Sequence, residues 1–251
     1  MARKGARKAL KREYAPKIWP IHRKEATWSI KAIPGPHPTH RCLPLALILR
    51  DILKLGEYAR EVKKIIVRGM VKIDGRVVKD PRFPVGIMDV ISIPEIDSIY
   101  RIFPSRKGLI LHPIDKKEEN IKLCRIESKK TLKGGRIQLN LHDGRNIIIP
   151  PSEEEKDLYR TLDVLKITLP DQDISEVIKL SEKAYAMVIG GKNMGVHGRI
   201  LSIERKGDKR AKSIVTIEND EGEKFQTILS YAFILGSEKL EISVPEAPSV
   251  V

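Results

Sequence analysis

Residues 58–78 read YAREVKKIIVRGMVKIDGRVV, and this stretch decides the fold of the first half of the chain. Its early apolar residues recur at the spacing of one helical face: Tyr58, Val62, Ile65 and Ile66. Basic residues occupy the other side: Arg60, Lys63, Lys64 and Arg68. The pattern predicts a helix with one packed face and one positively charged face.

The second part of the stretch contains an Asp-Gly pair between β-forming residues, which is a strong hairpin signal because both turn positions require positive φ. A further strand is expected at 89–93. Upstream, Pro44 is suited to the first turn of an apolar helix that runs to Leu53, and Gly56 can end it. Residues 41–93 therefore read as two helices on a small sheet, a compact nucleic-acid-binding module.

The charge of the whole chain supports that interpretation. Lys and Arg outnumber Asp and Glu by 47 to 33 over 251 residues, giving a net charge of +14. This favours a polyanionic partner through phosphate neutralisation. No apolar run approaches the roughly 18 residues of a membrane span, and the basic start lacks the apolar stretch of a secretory signal. Cys42 and Cys124 are isolated, so we expect reduced thiols, no zinc site and a cytosolic protein.

Residues 1–31 hold ten Lys or Arg against two Glu, and few aliphatic residues. Such a segment is expected to order against phosphate as an RNA-penetrating arm, although a solvated tail is the alternative. Two tryptophans among the charges suit base stacking, or they pin the arm to its own domain. The candidate RNA-binding residues of the arm are Arg3, Lys4, Arg7, Lys8, Lys11, Arg12, Trp19, Arg23, Lys24 and Trp28. A stiff proline-rich linker at 34–38 places a boundary near residue 40.

Three segments, 59–62, 69–77 and 86–91, resemble the alpha-L RNA-binding motif of ribosomal proteins and RNA-modifying enzymes. The resemblance implies that the basic helix and the adjoining hairpin face RNA. By position, the residues it implicates are Arg41, Arg60, Lys63, Lys64, Arg68, Lys72 and Arg76.

Beyond residue 98 the chain changes to strand-like runs at 121–126, 136–141, 146–149 and 165–169. These predict a second, mainly β domain with another Asp-Gly hairpin at 143–144. Lys133 and Arg136 flank Gly134-Gly135, and this basic turn could bind a phosphate through its backbone N–H groups and side chains. It lacks the spacing of a P-loop, so no nucleotide site is predicted.

The last region begins with a predicted strand at 183–189, followed by a glycine-rich stretch at 190–200. Further strands at 201–205, 214–218 and 225–228 favour a small barrel. The stretch resembles a KOW motif, an SH3-type barrel that binds RNA or neighbouring proteins. The positions that could contact a partner are Lys192, Asn193, His197 and Arg199.

The order of these modules, together with residues 230–236, resembles the ribosomal protein S4e family over essentially the whole chain, and the short C-terminus resembles its archaeal members. The expected fold is α+β and multidomain: a basic arm and linker at 1–40, an alpha-L module at 41–93, a central β domain at 94–172, a KOW barrel at 173–244 and a tail at 245–251. The family implies a non-enzymatic, structural constituent of the small ribosomal subunit, which acts on the ribosome in the cytoplasm. Its partners would be small-subunit ribosomal RNA and neighbouring ribosomal proteins, with no cofactor, metal, small-molecule substrate or membrane.

Two other classes of function remain open at this point. The alpha-L motif also accompanies RNA-modifying enzymes, and KOW motifs occur in transcription factors. Residues 98–251 contain no nucleophile elbow, HExxH pair or dinucleotide fingerprint, which disfavours an enzyme. A transcription factor would have no evident need for the alpha-L module and the arm.

Overall fold

The structure is a computed structural model that describes residues 9–150, 158–205, 213–237 and 239–245. The described chain is mostly β, with few helices. The helices are α1 Leu45–Leu47 and α2 Ala59–Val67. The strands are β1 Leu10–Lys11, β2 Trp28–Ser29, β3 Cys42–Pro44, β4 Lys72–Ile73, β5 Arg76–Val77, β6 Pro84–Gly86, β7 Val90–Ile93, β8 Ser98–Ser105, β9 Gly108–Pro113, β10 Ile121–Thr131, β11 Ile137–Leu141, β12 Asn146–Ile149, β13 Val164–Thr168, β14 Ile174–Ile178, β15 Tyr185–Val188, β16 His197–Glu204, β17 Ile214–Glu218, β18 Lys224–Ile228 and β19 Ala232–Gly236.

The first predicted helix is present but irregular. After α1 the chain continues as a π-helical turn over Ile48–Ile52, and Leu45 to Leu49 are all buried. The helical segment ends at Ile52, four residues before Gly56, and Lys54 then adopts a left-handed conformation with φ of 53°. Predicting Gly56 as the stop signal was therefore wrong, while the apolar core of this segment was predicted correctly.

The hairpin at Asp74-Gly75 forms as expected, with φ of 50° and 76° at its two turn residues. It belongs to a five-stranded antiparallel sheet with the order β5-β4-β7-β8-β9. Strands β8 and β9 were not predicted. They continue the sheet past residue 93, so the boundary expected there falls between two hydrogen-bonded strands, β7 and β8.

A second five-stranded sheet has the order β12-β11-β10-β13-β14 and contains the four strands predicted for the central region. Its long strand β10 pairs with β11 as far as Thr131 opposite Ile137. The inner side chains of this sheet, including Cys124, Leu139 and Leu165, form their own core cluster. The far end of the β10–β11 hairpin, residues 127–136, is exposed except at Leu132.

The third five-stranded sheet has the order β18-β17-β16-β15-β19. All its pairs are antiparallel, and the last strand, β19, pairs with β15 rather than with its predecessor in the chain. The strands predicted for the glycine-rich region are present in it. Closure of this sheet into the expected barrel stays a prediction.

One buried arginine ties the second sheet to the third. The Arg125 side chain is 2% exposed, and its Nη1 donates to the carbonyl oxygens of Ser230 and Ala232, each at 2.9 Å. Its other terminal nitrogen pairs with Glu127. Because a buried guanidinium needs several acceptors, these contacts fix the two sheets against each other.

The described part of the arm lies on the body of the protein. Ala15, Trp19 and Ala32 are buried, and β1 pairs with β2 inside the arm. Within residues 9–31 the buried Ala15 and Trp19 anchor the arm to the body of the protein, which agrees with the alternative that a tryptophan pins it there. Ordering of the arm against phosphate stays a prediction. No helix in the described residues has the length and apolarity needed to cross a membrane.

Candidate nucleic-acid interface

Helix α2 carries an exposed, positively charged surface that the sequence predicted. Its start is fixed by Glu61, whose Oε2 accepts the backbone N–H of Tyr58 at 3.2 Å and of Glu57 at 3.0 Å. Val62 and Ile66 are fully buried, as predicted. Tyr58, in contrast, precedes the helix and is 66% exposed, so it does not extend the packed face.

The opposite side of α2 carries what we call the basic face: Arg60, Lys63, Lys64 and Arg68. All four side chains are exposed. Within the described residues none of them forms a side-chain hydrogen bond or ion pair. Four like charges on one exposed face without counterions repel one another, so the surface is suited to an external polyanion.

The hairpin β4–β5 lies next to this helix and adds two further predicted residues. Gly69 ends α2 with φ of +80°, and a Cβ there would lie 3.0 Å from Val77 of β5. Arg76 is exposed, and Lys72 is half-buried. Arg41, the remaining predicted residue of this module, is half-buried before β3. Helix and hairpin are thus brought together as one basic surface.

The other predicted residues lie on separate elements. Lys133 and Arg136 are exposed at the β10–β11 turn, where Gly134 and Gly135 take φ of 80° and 72°. On the third sheet Lys192 is exposed, and Arg199 lies over the Tyr185 ring at 5.6 Å. The structure therefore distributes the predicted contacts over three sheets rather than one site.

The packing of the C-terminal region limits two of the predicted partner contacts, His197 and Asn193. His197 is buried at the start of β16, so a direct contact from this side chain to a partner is disfavoured. The glycine-rich turn serves internal packing: a Cβ at Gly195 would lie 2.8 Å from the Cα of Ser105. Asn193 is half-buried, and its Nδ2 lies 3.5 Å from the carbonyl oxygen of Gln226. Gly195 thus lets the third sheet approach the first, because glycine alone permits such a close contact.

The arm candidates divide into buried and exposed groups. Trp19 is 3% exposed, and its indole N–H donates to the Cys42 carbonyl at 2.8 Å. This residue therefore attaches the arm to the body of the protein, which was the alternative to base stacking. Arg12 is buried and pairs with Glu25 at 3.2 Å, which removes it from the phosphate-binding candidates. The exposed arm candidates are Lys11, Arg23, Lys24 and Trp28. Arg3, Lys4, Arg7 and Lys8 lie outside the described residues.

Trp28 is the exposed tryptophan of the arm, with 59% of its surface accessible. It can still offer a ring for stacking. Arg23, although exposed, already donates to the carbonyl oxygens of Glu13 at 2.9 Å and Ala15 at 3.1 Å. It therefore stabilises the turn of the arm and has fewer donors left for phosphate.

Sequence reasoning missed a second charged feature, which we call the buried charge cluster: His37, Asp74, Asp89, Lys122, Asp143 and Arg145. Lys122 is 0% exposed, and its Nζ lies 2.6 Å from Asp74, 2.5 Å from Asp89 and 3.1 Å from Asp143. Arg145 pairs with Asp74 at 2.8 Å and with Asp143 at 3.2 Å. His37 lies 3.0 Å from Asp89.

The cluster joins three parts of the chain that are far apart in sequence: the linker, the helix-containing module and the central sheet. Burial alone would lower the pKa of Lys122, but the three aspartates raise it well above its ordinary value. Burial would likewise raise the pKa of Asp143, but Lys122 and its other cationic neighbours lower it to about 2. For Asp89, His37 and Lys122 outweigh burial and hold the pKa well below its usual range. Lys122, Asp89 and Asp143 are therefore charged at neutral pH, and each of these charges depends on the others.

Cys124, His142 and Asp143 offer ligand atoms within 4.8 Å of one another, which raises the question of a metal ion. The His142 Nδ1 accepts the Arg125 backbone N–H at 3.2 Å, so Nε2 carries the proton that reaches the Ile87 carbonyl at 3.2 Å. Burial raises the pKa of the Cys124 thiol well above its ordinary value. With both ring nitrogens engaged, the thiol protonated and Lys122 already on Asp143, this set is a poor cation site.

Comparison with known proteins places this arrangement in a family. Three family models match the chain: the RS4NT (NUC023) domain at residues 4–40, the S4 domain at 47–91 and Ribosomal family S4e at 96–174. The small ribosomal subunit protein eS4 of Staphylothermus marinus is 50% identical over 250 residues, covering 98% of this chain and 99% of that protein. The same protein from Methanocaldococcus jannaschii is 46% identical over 243 residues, covering 95% and 98%.

A solved structure is similar as well. The crystal structure of the 30S ribosomal protein S4e from Thermoplasma acidophilum matches with a TM-score of 0.66 and 34% identity, covering 80% of this chain and 97% of that one. The basic helix and hairpin fall within the residues that match the S4 domain. The match to the Staphylothermus marinus protein covers 98% of this chain, from the arm to the third sheet. The chain therefore belongs to the ribosomal S4e family.

Proposed function

We propose that this chain is a structural constituent of the small ribosomal subunit that binds and stabilises ribosomal RNA and so supports translation. The observation that carries the proposal is the basic face of α2, exposed and unpaired within the described residues, in a chain whose curated relatives are small-subunit proteins over their whole length. Its place of action is the ribosome in the cytoplasm. Its partners are small-subunit ribosomal RNA and neighbouring ribosomal proteins, and the function requires no turnover.

Mechanistically, the basic face and the adjoining hairpin neutralise RNA phosphates. The side chains concerned are Arg60, Lys63, Lys64, Arg68, Lys72 and Arg76. Lysine and arginine contacts of this kind position a protein on RNA without reading its sequence. The grooves of an A-form helix favour recognition by shape and backbone, so charge and the fixed shape of the module account for binding together.

The remaining exposed candidates would extend the contact. Lys133 and Arg136 stand at the projecting β10–β11 turn, and Lys192 and Arg199 on the third sheet. Trp28 would stack on an unpaired base where one is within reach. The rigid connection of the sheets through Arg125 supports simultaneous engagement, because separate contacts on a preorganised body lose less entropy on binding.

The first test is sedimentation of a cell lysate through sucrose, with and without a high-salt wash. Co-migration with the small subunit that survives the wash is the expected result, because a structural component is held by many contacts. Release by salt would instead indicate a transient factor, and absence from ribosomal fractions would contradict the proposal.

A binding experiment addresses the mechanism. The triple variant Arg60→Gln, Lys63→Gln and Lys64→Gln is compared with a control that removes the same charges elsewhere, Arg106→Gln, Lys107→Gln and Lys117→Gln. All six residues are exposed. We expect the α2 variant to lower the slope of log affinity against log salt by about 2, and the control to change it much less. Equal losses in the two variants would mean that net charge, and not this face, determines binding.

A further inference from the structure

A groove at the junction of the second and third sheets carries positive charge that the sequence analysis did not single out. It encloses about 710 Å³ and is bordered by basic side chains from four separate segments: Lys129, Arg160, Lys179 and Arg205. The first three lie on or next to strands of the second sheet, and Arg205 follows β16 of the third. We call this feature the junction groove.

The walls of the groove are held in place by one buried carboxylate. Asp163 is 2% exposed; its Oδ2 accepts the backbone N–H of Arg160 at 3.0 Å, and its Oδ1 accepts that of Leu180 at 2.9 Å. It thereby fixes the turn at 160–163 against the segment that follows β14. Within this turn Leu162 has a φ of 75°, a strained conformation for a leucine that the surrounding contacts maintain.

The third sheet supplies the other wall in an equally fixed way. Arg205 lies directly after β16, and Leu229 donates its backbone N–H to the Ser213 carbonyl at 2.9 Å. Leu180 and Leu229 turn their side chains toward the hydrophobic core, against which they pack. The groove is therefore a preformed feature of the junction, and little of its apolar surface is left for a ligand.

The charge of the groove is not neutralised from within. Arg160, Lys179 and Arg205 are exposed, and none of the three side chains has a hydrogen bond or ion pair in the described part of the chain. The carboxylate that lines the groove, Asp163, is occupied with backbone N–H groups. The net field in the groove is positive, and low-dielectric walls strengthen it.

We propose that the junction groove binds the phosphate backbone of RNA, as a contact surface separate from the basic face of α2. This inference rests on the proposed function and extends it. Besides the cations, the groove presents the hydroxyls of Thr161 and Ser181, which are side chains that commonly contact phosphate oxygens. Aromatic side chains are missing from its described lining, so the contact positions RNA and does not read its bases.

The observations favour RNA over an acidic polypeptide. A docked peptide gains much of its affinity from apolar anchors, whereas two of the three leucines that line this groove, Leu180 and Leu229, pack against the protein core. Phosphodiester oxygens are contacted by cations and hydrogen-bond donors, and the groove offers both. The sequence between Arg205 and Ser213 adds Lys206, Lys209, Arg210 and Lys212 against Asp208, but those residues lie outside the described part and are not counted in the site.

The test uses the full chain with three variants and two probes. The groove variant is Arg160→Gln, Lys179→Gln and Arg205→Gln; the α2 variant and the control at Arg106, Lys107 and Lys117 are measured beside it. The probes are a mixed-sequence RNA duplex of about 20 base pairs, long enough to cross more than one groove, and poly-L-glutamate. We expect the groove variant to bind RNA about tenfold more weakly than the control at moderate salt, with a salt slope lower by about 2.

A second measurement works on the wild-type chain and so does not depend on the folding of any variant. Ultraviolet cross-linking of the same RNA, followed by peptide mapping, should label the segments 158–163 and 177–181. Cross-links confined to α2 and the hairpin would overturn the inference, as would equal RNA affinities of the groove variant and the control.

The outcomes separate this inference from the proposed function. If the wild type binds RNA and only the α2 variant is weakened, the groove inference fails and the proposed function stands. If the wild type does not bind RNA at all, both fail. If the groove variant loses poly-L-glutamate but keeps RNA, the groove serves an acidic polypeptide, and the RNA assignment is wrong.

Discussion

Replacing Lys122 with methionine should destabilise the protein severely, although methionine is close to lysine in size. The substitution removes a cation that is 0% exposed and lies between Asp74, Asp89 and Asp143 at 2.6, 2.5 and 3.1 Å. Three carboxylates then remain in the interior, with the Arg145 guanidinium and the His37 ring beside them. The consequence is uncompensated negative charge in a region of low dielectric constant.

The size of the effect follows from the burial of the partners. Removing one member of a buried ion pair costs about 3–5 kcal/mol, because the charge left behind has no counterion and no water. Lys122 serves three carboxylates, so we place its loss at the upper end of that range. A folded domain has a free energy of unfolding of about 5–15 kcal/mol, so the variant loses a large fraction of its stability.

Urea unfolding at neutral pH measures this loss, with Lys116→Met as the control. Lys116 pairs with Asp97 at 2.6 Å, about as closely as Lys122 does with its partners. The side chains of Lys116 and Asp97, however, are each 69% exposed. We expect the control to lose less than about 1 kcal/mol, since solvent screens an exposed pair. The contrast isolates burial as the cause.

Acidification supplies a second signature with a definite sign. In the wild type, Asp143 has its pKa lowered to about 2 from 3.8, so its contribution is fully present above pH 3.8 and is lost as the pH falls toward 2. In the Lys122→Met variant the crowded carboxylates should have raised pKa values and accept protons at higher pH. The stability gap between variant and wild type should therefore narrow from pH 7 to pH 5. A loss below about 1 kcal/mol, or a gap that is constant with pH, would refute the reasoning.

Two further predictions test the packing around this cluster and the arm. Burial lowers the pKa of His142 to about 4 from 6.5. The neutral ring is therefore fully compatible with folding above pH 6.5, and the free energy of unfolding falls by about 3 kcal/mol as the pH drops to 4. His142→Asn should reduce this pH dependence in urea unfolding, and an unchanged profile would contradict the assignment. If the arm unfolds together with the body, Trp19→Ala should lower the free energy of unfolding by about 3–5 kcal/mol. If the arm detaches alone, the substitution should expose residues 20–31 to protease. Resistance to protease with full stability would show that Trp19 does not anchor the arm.

Local patterns allowed much of the fold to be predicted. The Asp74-Gly75 hairpin, the buried Val62 and Ile66 of α2 and the central strands follow from turn chemistry and periodicity, which act over a few residues. Strands β8 and β9 were missed because their alternation is weak and their turn at 106–107 carries two cations, which resemble a loop. The stop of the first helix before Lys54 was missed because a left-handed lysine has no sequence signal.

The candidate site was predictable to a smaller extent. Exposed cations on α2 could be assigned because they alternate with buried apolar residues along one helix. Buried cations could not, since Lys122 meets Asp74 and Asp89 across 48 and 33 residues of sequence. Arg12, Arg101 and Arg125 resemble surface residues by type and are nevertheless buried. The junction groove likewise depends on residues from distant segments, which only the packed sheets bring together.

The attachment of Arg125 to the last strand has a consequence for synthesis on the ribosome. Its guanidinium is buried between the second and third sheets, and two of its acceptors are the carbonyl oxygens of residues 230 and 232, more than a hundred positions later in the chain. A nascent chain that has extruded only the central sheet therefore holds an arginine that it cannot bury with its partners. We therefore expect a truncated product that lacks β19 to leave this guanidinium without two of its carbonyl acceptors, and so to expose a charge that the full-length chain buries.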